Sequence, residues 1–369
     1  MKILELPNEV LSRIISFHDT ASPFDESLFQ KPRLSVDSDS LDTSIHSIQR
    51  KSPLKQLSLT SRFLHSLTLP LLFKHAVLYP LRLSDFLSFI KDRNLPPRIS
   101  SILVHVPGHY NHLHPAWWAR LLNEIPATRL TIIGPPEVFA ELAGICSWST
   151  DAWAFDMAVQ VLRFDQPVES TRSKIDYDNL PNFLVARPWT NMVVNEGSSL
   201  MAYTTYEFFL RRTPSLLTAL HFNNSAAGDA MFANLVSFDF IGIFPFYNHV
   251  DEILKCIRKM KKLQKLLIKL CPEPDSTVLH DEIESAGGHL DVNDPWNECE
   301  TSWVLIADTV VFLTIEGALR ELRMDDVKVD GVRQMLENRL NDRLQEWWAY
   351  EAPSSGLWRR KSPRFIGSN

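Results

Sequence analysis

Cysteine and glycine are scarce in this chain, and their scarcity argues against several kinds of site. The 369 residues include four cysteines, which lie far apart and form no CxxC pair: Cys146, Cys256, Cys271 and Cys299. A disulfide framework or a zinc site is therefore not expected, and a reducing compartment fits. With only 12 glycines, no G-x-G-x-x-G, P-loop or G-x-S-x-G pattern occurs. Since catalytic residues can be scattered in sequence, an enzyme becomes the weaker hypothesis rather than an excluded one.

An excess of basic charge and a long uninterrupted hydrophobic segment are also missing. The net charge of −6 gives no general reason to expect nucleic acid or an anionic membrane as partner. The longest apolar run, residues 303–319, contains Asp308 and Glu316 and predicts a buried strand or helix instead of a membrane span. Glu5 and Asn8 interrupt the amino-terminal apolar residues, so no signal peptide is expected there. We expect a folded protein of the cytoplasm and/or the nucleus.

Three short helical patterns with a large apolar surface occupy the first 80 residues. Pro7 suits the first position of a helix. The apolar residues that follow it fall on one broad helix face: Val10, Leu11, Ile14, Ile15 and Phe17. A second helix is predicted over residues 53–64 and a third short segment over residues 70–78. A unit of this size has a marginal core, so its remaining apolar face is expected to be a docking surface. The alternative is that the helices only cap the domain behind them.

The sequence of these helices resembles the F-box family. LELPNEVLSRI at 4–14, LSLTSRF at 57–63 and LLF at 71–73 are similar to the opening, the second half and the end of fungal F-boxes. The resemblance covers about residues 3–18 and 53–79. It implies that the helices bind a Skp-type adaptor and, through it, the cullin of a ubiquitin ligase. By position, the resemblance assigns this contact to Leu6, Pro7, Val10, Leu11, Ile14, Leu57, Ser61, Arg62 and Leu64.

One segment departs from the F-box pattern. Residues 19–51 are rich in serine and aspartate, whereas the family has a short connection at this place. Such a composition predicts a disordered, solvated loop, which is either tolerated as a bulge or weakens docking. We therefore assign residues 1–80 to an F-box with an inserted disordered loop.

The remainder of the chain carries a recurring pattern of alternating apolar residues. Copies of LxxLxL, each followed by a proline, begin at Ile99, Ala127 and Val159, at intervals of roughly 30 residues, as in repeat proteins. Further copies begin at Leu217, Leu235, Leu263 and Leu319, with a degenerate one at Thr190. The alternation predicts strands with one buried face, and the apolar spacing at 117–125 and 250–257 predicts helices between them.

A strand and a helix in each unit resemble an irregular leucine-rich repeat. The predicted fold class is therefore α/β: a three-helix F-box, then a solenoid of parallel strands and helices over residues 81–350, then a tail at 351–369. In the family that combines F-box and leucine-rich repeats, the repeats select the target protein on an exposed sheet face. Candidate surface positions here are Arg163, His221, Asp239, Lys265 and Arg323. An ordinary α/β domain is the alternative.

Three further segments yield structural predictions. Residues 273–300 are acidic and predict a long loop beside a basic stretch at 255–269, and residues 332–350 predict a last helix. A histidine cluster could hold a metal, but no HExxH motif or cysteine accompanies it: His105, His109, His112 and His114. No metal and no cofactor are predicted.

The sequence as a whole predicts a non-catalytic protein that recognises substrates for an SCF-type ubiquitin ligase. Its predicted partners are a Skp-type adaptor, through it a cullin, and a target protein whose identity the sequence does not reveal. No nucleic-acid or membrane partner is expected. One alternative is an F-box scaffold that acts outside the ligase. Another is a repeat-fold enzyme or metal protein whose first helices are a cap.

Overall fold

The structure is a computed structural model that describes residues 6–18, 22, 25, 27–32, 53–106, 113–145, 151–155, 157, 159–176, 180, 182–274, 276–285 and 290–361. Within these ranges the chain is α/β, and ten strands form one open, mostly parallel sheet. In chain order the strands are β1 (His75–Leu78), β2 (Ser101–His105), β3 (Arg129–Gly134), β4 (Gln160–Asp165), β5 (Asn191–Ser198), β6 (Ser237–Ile243), β7 (Lys265–Lys269), β8 (Glu321–Met324), β9 (Trp348–Tyr350) and β10 (Leu357–Arg360).

Twelve α-helices accompany the strands in the same described ranges. They are α1 (Asn8–Ser16), α2 (Pro53–Ser58), α3 (Arg62–Leu72), α4 (Leu83–Asp92), α5 (Pro115–Glu124), α6 (Pro136–Leu142), α7 (Leu216–Phe222), α8 (Ala226–Phe232), α9 (Tyr247–Arg258), α10 (Val278–Ser285), α11 (Asn293–Glu316) and α12 (Arg333–Leu344). The helices predicted at 117–125 and 250–257 correspond to α5 and α9. Helices therefore connect most neighbouring strands, as expected where parallel strands need a crossover connection.

The first eight strands lie side by side in chain order, and β10 and β9 follow at the far edge. Neighbours pair in parallel from β1 to β3 and from β5 to β8. However, β4 runs against both its neighbours, and β10 is antiparallel to β8 and to β9. The prediction of parallel strands is therefore wrong at β4. The apolar alternation is the same in either strand direction, so it could not reveal the reversal.

Alternate residues of the strands form one face of the main core. Leu130, Phe164 and Phe240 lie there, on β3, β4 and β6, and they are almost completely buried. Trp118 of α5 and Ile257 of α9 belong to the same cluster. Since successive side chains of a strand point to opposite faces, the residues between these belong to the other face of the sheet.

The predicted repeat copies are strands in all cases but one. The copies that begin at Ile99, Ala127, Val159, Leu235, Leu263 and Leu319 contain β2, β3, β4, β6, β7 and β8, and the degenerate one at Thr190 leads into β5. The copy at Leu217 is wrong, because it forms α7. Leu217 and Leu220 are three residues apart, a spacing that also suits one helix face, and the Ser215 hydroxyl caps this helix by accepting from the Thr218 N–H.

The amino-terminal helices differ in their bounds from the prediction. Pro7 is the N-cap of α1, which begins one residue later. The segment predicted as one helix over 53–64 is divided into α2 and α3, because the Ser61 hydroxyl accepts from the Leu64 N–H at 3.1 Å and starts a new helix. Pro70 lies inside α3 instead of opening a third segment. The residues that follow α3 form β1, which pairs with β2.

Two predictions at the carboxyl-terminal side are also corrected. The acidic residues 273–300 contain α10 and the start of α11, because Cys299 is completely buried and its packing outweighs the acidic composition. The predicted last helix ends at Leu344, and β9 follows. Trp358 of β10 stacks on Tyr350 of β9 with ring centroids 4.4 Å apart, so residues 357–360 belong to the sheet rather than to a tail. Residues 362–369 lie outside the described residues.

The predicted loop at 19–51 is described only at residues 22, 25 and 27–32. Leu28 is 3% exposed and packs on the sheet, so the prediction of a solvated loop is wrong for this stretch. For the remainder of the insertion, which lies outside the described residues, it stays a prediction.

The apolar run at 303–319, predicted as a buried strand or helix, lies mostly in α11. A buried carboxylate connects this helix to the sheet by hydrogen bonds. Asp326 accepts from the indole N–H of Trp303 at 3.1 Å and from the N–H groups of Leu270 and Cys271, both at 2.9 Å. Burial raises the pKa of Asp326 to about 6, although these hydrogen bonds act in the opposite direction. Over the described ranges, no helix is both long enough and apolar enough to cross a bilayer.

Candidate protein-interaction surfaces

The first candidate surface belongs to the three amino-terminal helices. Ile15 of α1, Leu54 of α2 and Leu64 of α3 form a buried cluster of their own. Further leucines of α2 and α3 pack against it: Leu57, Leu67, Leu71 and Leu72. At the end of α3, Leu69 and Phe73 instead reach the main core. The three helices therefore form a small unit with its own core, attached to the sheet domain through α3.

Helix α1 presents an apolar stripe away from this cluster. Val10, Ile14 and Phe17 are 42%, 39% and 78% exposed, and at 100° per residue they fall within about 60° of arc. Leu11 and Ile15, on the adjacent side of the helix, are each 2% exposed. We define Val10, Ile14 and Phe17 as the α1 stripe. An apolar stripe on a short surface helix is a typical docking feature.

The residues predicted to contact the adaptor fall into three groups. Pro7, Val10, Ile14 and Arg62 are exposed, Leu6, Leu57 and Ser61 are half-buried, and Leu11 and Leu64 are buried. Leu64 belongs to the buried cluster of the three helices, and Leu11 is buried as well. The contact of all nine residues with an adaptor stays a prediction. The contact residues taken from the resemblance omit the exposed apolar residues Phe17, Leu59 and Phe63, although the apolar face predicted for the first helix includes Phe17. The i, i+4, i+7 spacing from Val10 through Ile14 was the signal for Phe17.

The second candidate surface is the sheet face opposite the main core, which we call the open face. Its side chains form two rows of register neighbours across the strands. One row is Ile133, Val161, Asn195, Ile241 and Lys269; the other is Thr131, Arg163, Val193, Asp239, Leu267 and Arg323. Part of the insertion lies on this face. We call Asp25 and residues 27–32 the docked segment.

The docked segment is held at β3 and β4 by a cluster of charges. The Asp25 carboxylate accepts from the guanidinium groups of Arg129 and Arg163, each at 3.1 Å. Asp165 accepts from the same Arg129 at 2.9 Å and lies 3.5 Å from Arg163. Two carboxylates and two guanidinium groups therefore alternate at this end of the open face. Arrangements of this kind are much stronger than isolated surface pairs when they are partly shielded from water.

The centre of the docked segment is bound by apolar contact and by its own carbonyl groups. Leu28 packs in a buried cluster with Val161, Val193 and Ile241. The amide of Asn195 donates to the carbonyl oxygens of Leu28 and Gln30, both at 2.7 Å. Its Oδ1 in turn accepts from the Gly197 N–H at 3.0 Å, and Lys269 donates to the Phe29 carbonyl at 3.1 Å.

The far end of the docked segment meets an acidic group. The Lys31 ammonium donates to one oxygen of Glu282 at 2.7 Å, and the Ser198 hydroxyl donates to the other at 2.8 Å. Glu282 belongs to α10 and is almost completely buried. The open face thus offers cations at one end of the docked segment and a carboxylate at the other.

The surface positions suggested by the repeat pattern are only partly on this face. Arg163, Asp239, Lys265 and Arg323 lie on the open face, and Lys265 is exposed at the start of β7. The prediction that His221 is a surface position of a strand is wrong, because this residue belongs to α7. Burial raises the pKa of Asp239 to about 6, while the charges of Arg163 and Arg323 oppose this rise.

The histidine cluster is described only in part. His105 ends β2 and is buried against Tyr79, with ring centroids 5.7 Å apart, and burial lowers its pKa. His114 caps α5, where its Nδ1 accepts from the Ala116 N–H at 3.2 Å. His109 and His112 lie outside the described residues. Among the residues that the structure does describe, no three His, Cys, Asp or Glu side chains are grouped so that they could hold a metal ion.

Two surfaces of different character therefore emerge: an exposed apolar stripe on α1, and a sheet face that holds part of the chain through charges and carbonyl groups. Both are suited to binding protein. No family model, no curated protein and no solved structure matches the chain.

Proposed function

We propose that this chain is a substrate-recognition adaptor of an SCF-type ubiquitin ligase. In this proposal residues 6–18 and 53–73 act as an F-box that binds a Skp-type adaptor. The sheet domain acts as an irregular leucine-rich-repeat solenoid that binds the target protein. The observation that carries the proposal is the α1 stripe, at a position where the sequence resembles the F-box.

The packing of α1 supports this assignment. Ile15 packs against α2 and α3 and Leu11 is buried beside it on the helix, whereas Val10, Ile14 and Phe17 remain exposed and belong to no buried cluster. Exposed apolar side chains on successive turns are favoured in an interface, because binding removes them from water. Leu59 and Phe63, at the junction of α2 and α3, add apolar surface on the same small unit.

The sheet domain supports the second half of the proposal. Eight strands follow one another in chain order, helices connect most of them, and alternate strand residues face away from the main core, where the docked segment covers part of the open face. This succession is typical of solenoid proteins, which bind partners on such faces. The reversed strand β4 is a departure from a regular leucine-rich repeat.

The test is the affinity for a recombinant Skp-type adaptor, compared between Ile14→Asp and Ile315→Asp. Ile315 is also an exposed isoleucine on a helix, but it lies on α11. We expect Ile14→Asp to weaken binding by about 30-fold or more, as at an interface hot spot, and Ile315→Asp to bind like the wild type. Equal affinities of the three proteins would contradict the assigned surface. Recruitment of a cullin by the complex then separates a ligase subunit from a scaffold.

A further inference from the structure

The docked segment is bound in the manner of a peptide ligand. It does not join the sheet as a strand; instead its contacts run across the strands, from Arg129 on β3 to Lys269 on β7. The carbonyl groups of Leu28, Phe29 and Gln30 are all satisfied by side chains of the open face. Side chains that donate to backbone carbonyls recognise the course of a bound backbone, whatever its side chains are.

The charged end of the open face is incomplete without the docked segment. Arg129 and Arg163 contact Asp165 and Asp25, and only Asp165 belongs to the sheet. Removal of Asp25 would leave two guanidinium groups facing one carboxylate. Since a guanidinium binds carboxylates with several directed N–H groups, this end would then accept a carboxylate from another chain.

The other end gives the bound chain a direction. Glu282 receives Lys31, six residues after Asp25 in the sequence. A chain bound in the opposite direction would place a base beside Arg129 and Arg163 and an acid beside Glu282. Like charges in such positions reject a ligand as effectively as opposite charges select one.

The fold does not depend on the centre of the docked segment for its main core. Leu28 lies with Val161, Val193 and Ile241 in a cluster that is separate from the one shared by the sheet and the helices. Because Leu28 belongs to that separate cluster, release of the docked segment leaves the main core closed. The docked segment is therefore suited to exchange with a competing chain.

We propose that the open face is the target-binding site, and that the docked segment is an internal ligand which a target displaces. The target segment has the pattern Asp-x-x-Leu-Phe-x-Lys of residues 25–31, in which Ser27–Phe29 form a short 3-10 helix. This inference deepens the proposed function, because it names the class of target. The adaptor-binding surface on α1 has no part in its test, so the failure of one proposal is distinguishable from the failure of the other.

The test measures binding of a fluorescent synthetic peptide, residues 25–32, to the full-length protein. Asp25→Ala/Leu28→Ala weakens the internal ligand but leaves the open face intact, so this variant should bind the peptide about tenfold more tightly than the wild type. Asp25→Ala alone should give an intermediate affinity. Addition of Asn195→Asp to the double variant should abolish binding, because a carboxylate cannot donate to the peptide carbonyls.

Two controls separate recognition from an unspecific effect. Asn123→Asp changes an asparagine that bonds to the backbone of Ile175, away from the open face, and should leave the peptide affinity of the double variant unchanged. A peptide that keeps the four pattern residues and has alanine elsewhere should bind, whereas a peptide with the Asp and Lys exchanged should not.

Three results would overturn the proposal. One is equal peptide affinity of the wild type and the double variant. Another is absence of binding by a double variant that retains its cooperative thermal transition. The third is loss of that transition in the double variant, since the docked segment would then be part of the fold and not an exchangeable ligand.

Discussion

Asn195→Asp is the substitution that most sharply tests how the docked segment is held. The Asn195 side chain is completely buried, and its amide nitrogen is shared between two carbonyl oxygens at 2.7 Å. Aspartate has nearly the same shape and keeps the bond from the Gly197 N–H. It differs in placing an acceptor oxygen where the two carbonyls of Leu28 and Gln30 need a donor. The substitution therefore removes both donated hydrogen bonds with little change of shape, and it also places a carboxylate in a buried position.

The expected magnitude follows from the groups that lose their partners. Two hydrogen bonds contribute about 1 kcal/mol each, and unpaired acceptors in a buried place add about another 1 kcal/mol. The total of about 3 kcal/mol acts on the docked segment, which can leave the sheet without unfolding the main core. A change of this size corresponds to about a 100-fold larger fraction of the released state.

Hydrogen exchange followed by mass spectrometry measures the released fraction of the docked segment in the proteolytic fragment that contains residues 28–32. Its amide protection should fall by about 100-fold in Asn195→Asp, while the protection of β6 and β7 stays that of the wild type. Asn123→Asp, which removes the one bond that the Asn123 amide donates to the Ile175 carbonyl, serves as the control and should leave the docked segment protected. Unchanged protection of residues 28–32 in Asn195→Asp would refute the reasoning.

Two buried carboxylates give further predictions. Burial raises the pKa of Asp239 from 3.8 to about 6, so ionisation costs the folded state free energy, and this contribution to stability is lost as pH rises from about 4 through 6. Chemical denaturation should show that Asp239→Asn is about 1–3 kcal/mol more stable than the wild type at pH 7 and no more stable at pH 3.5. An equal gain at both pH values would exclude the ionisation of Asp239 as its cause. Asp326→Asn should lower stability by about 2–4 kcal/mol, since an asparagine amide would face the Trp303 N–H as a second donor. A melting temperature of Asp326→Asn equal to that of the wild type would contradict this prediction.

Periodicity in the sequence was sufficient for most strands and for the main core. The alternation around Leu130, Phe164 and Phe240 marks the buried face correctly, because a strand with one buried face requires a period of two. It was not sufficient at Leu217, where a short LxxL spacing fits a strand and a helix equally. Strand direction was also not predictable, since it depends on how the connection crosses the sheet and not on the strand residues.

The open face shows a different limit of sequence reasoning. Arg163 and Asp239 could be placed on it from the pattern, but nothing local indicated that it is occupied. Residues 25–32 lie in a serine- and aspartate-rich insertion whose average composition predicts a solvated loop. The apolar pair Leu28–Phe29 was the one sign of docking, and its partners lie more than a hundred residues away in the chain. Contacts of this kind depend on tertiary structure and not on local preference.

Docking of the amino-terminal helices onto a Skp-type adaptor is best measured by a hydrogen-exchange footprint of the mixture. We predict that the adaptor protects residues 8–17 and 57–63 and leaves the exchange of the strands unchanged. Absence of any protection, or protection confined to the sheet, would contradict the claim and leave α1 as a cap on the domain behind it.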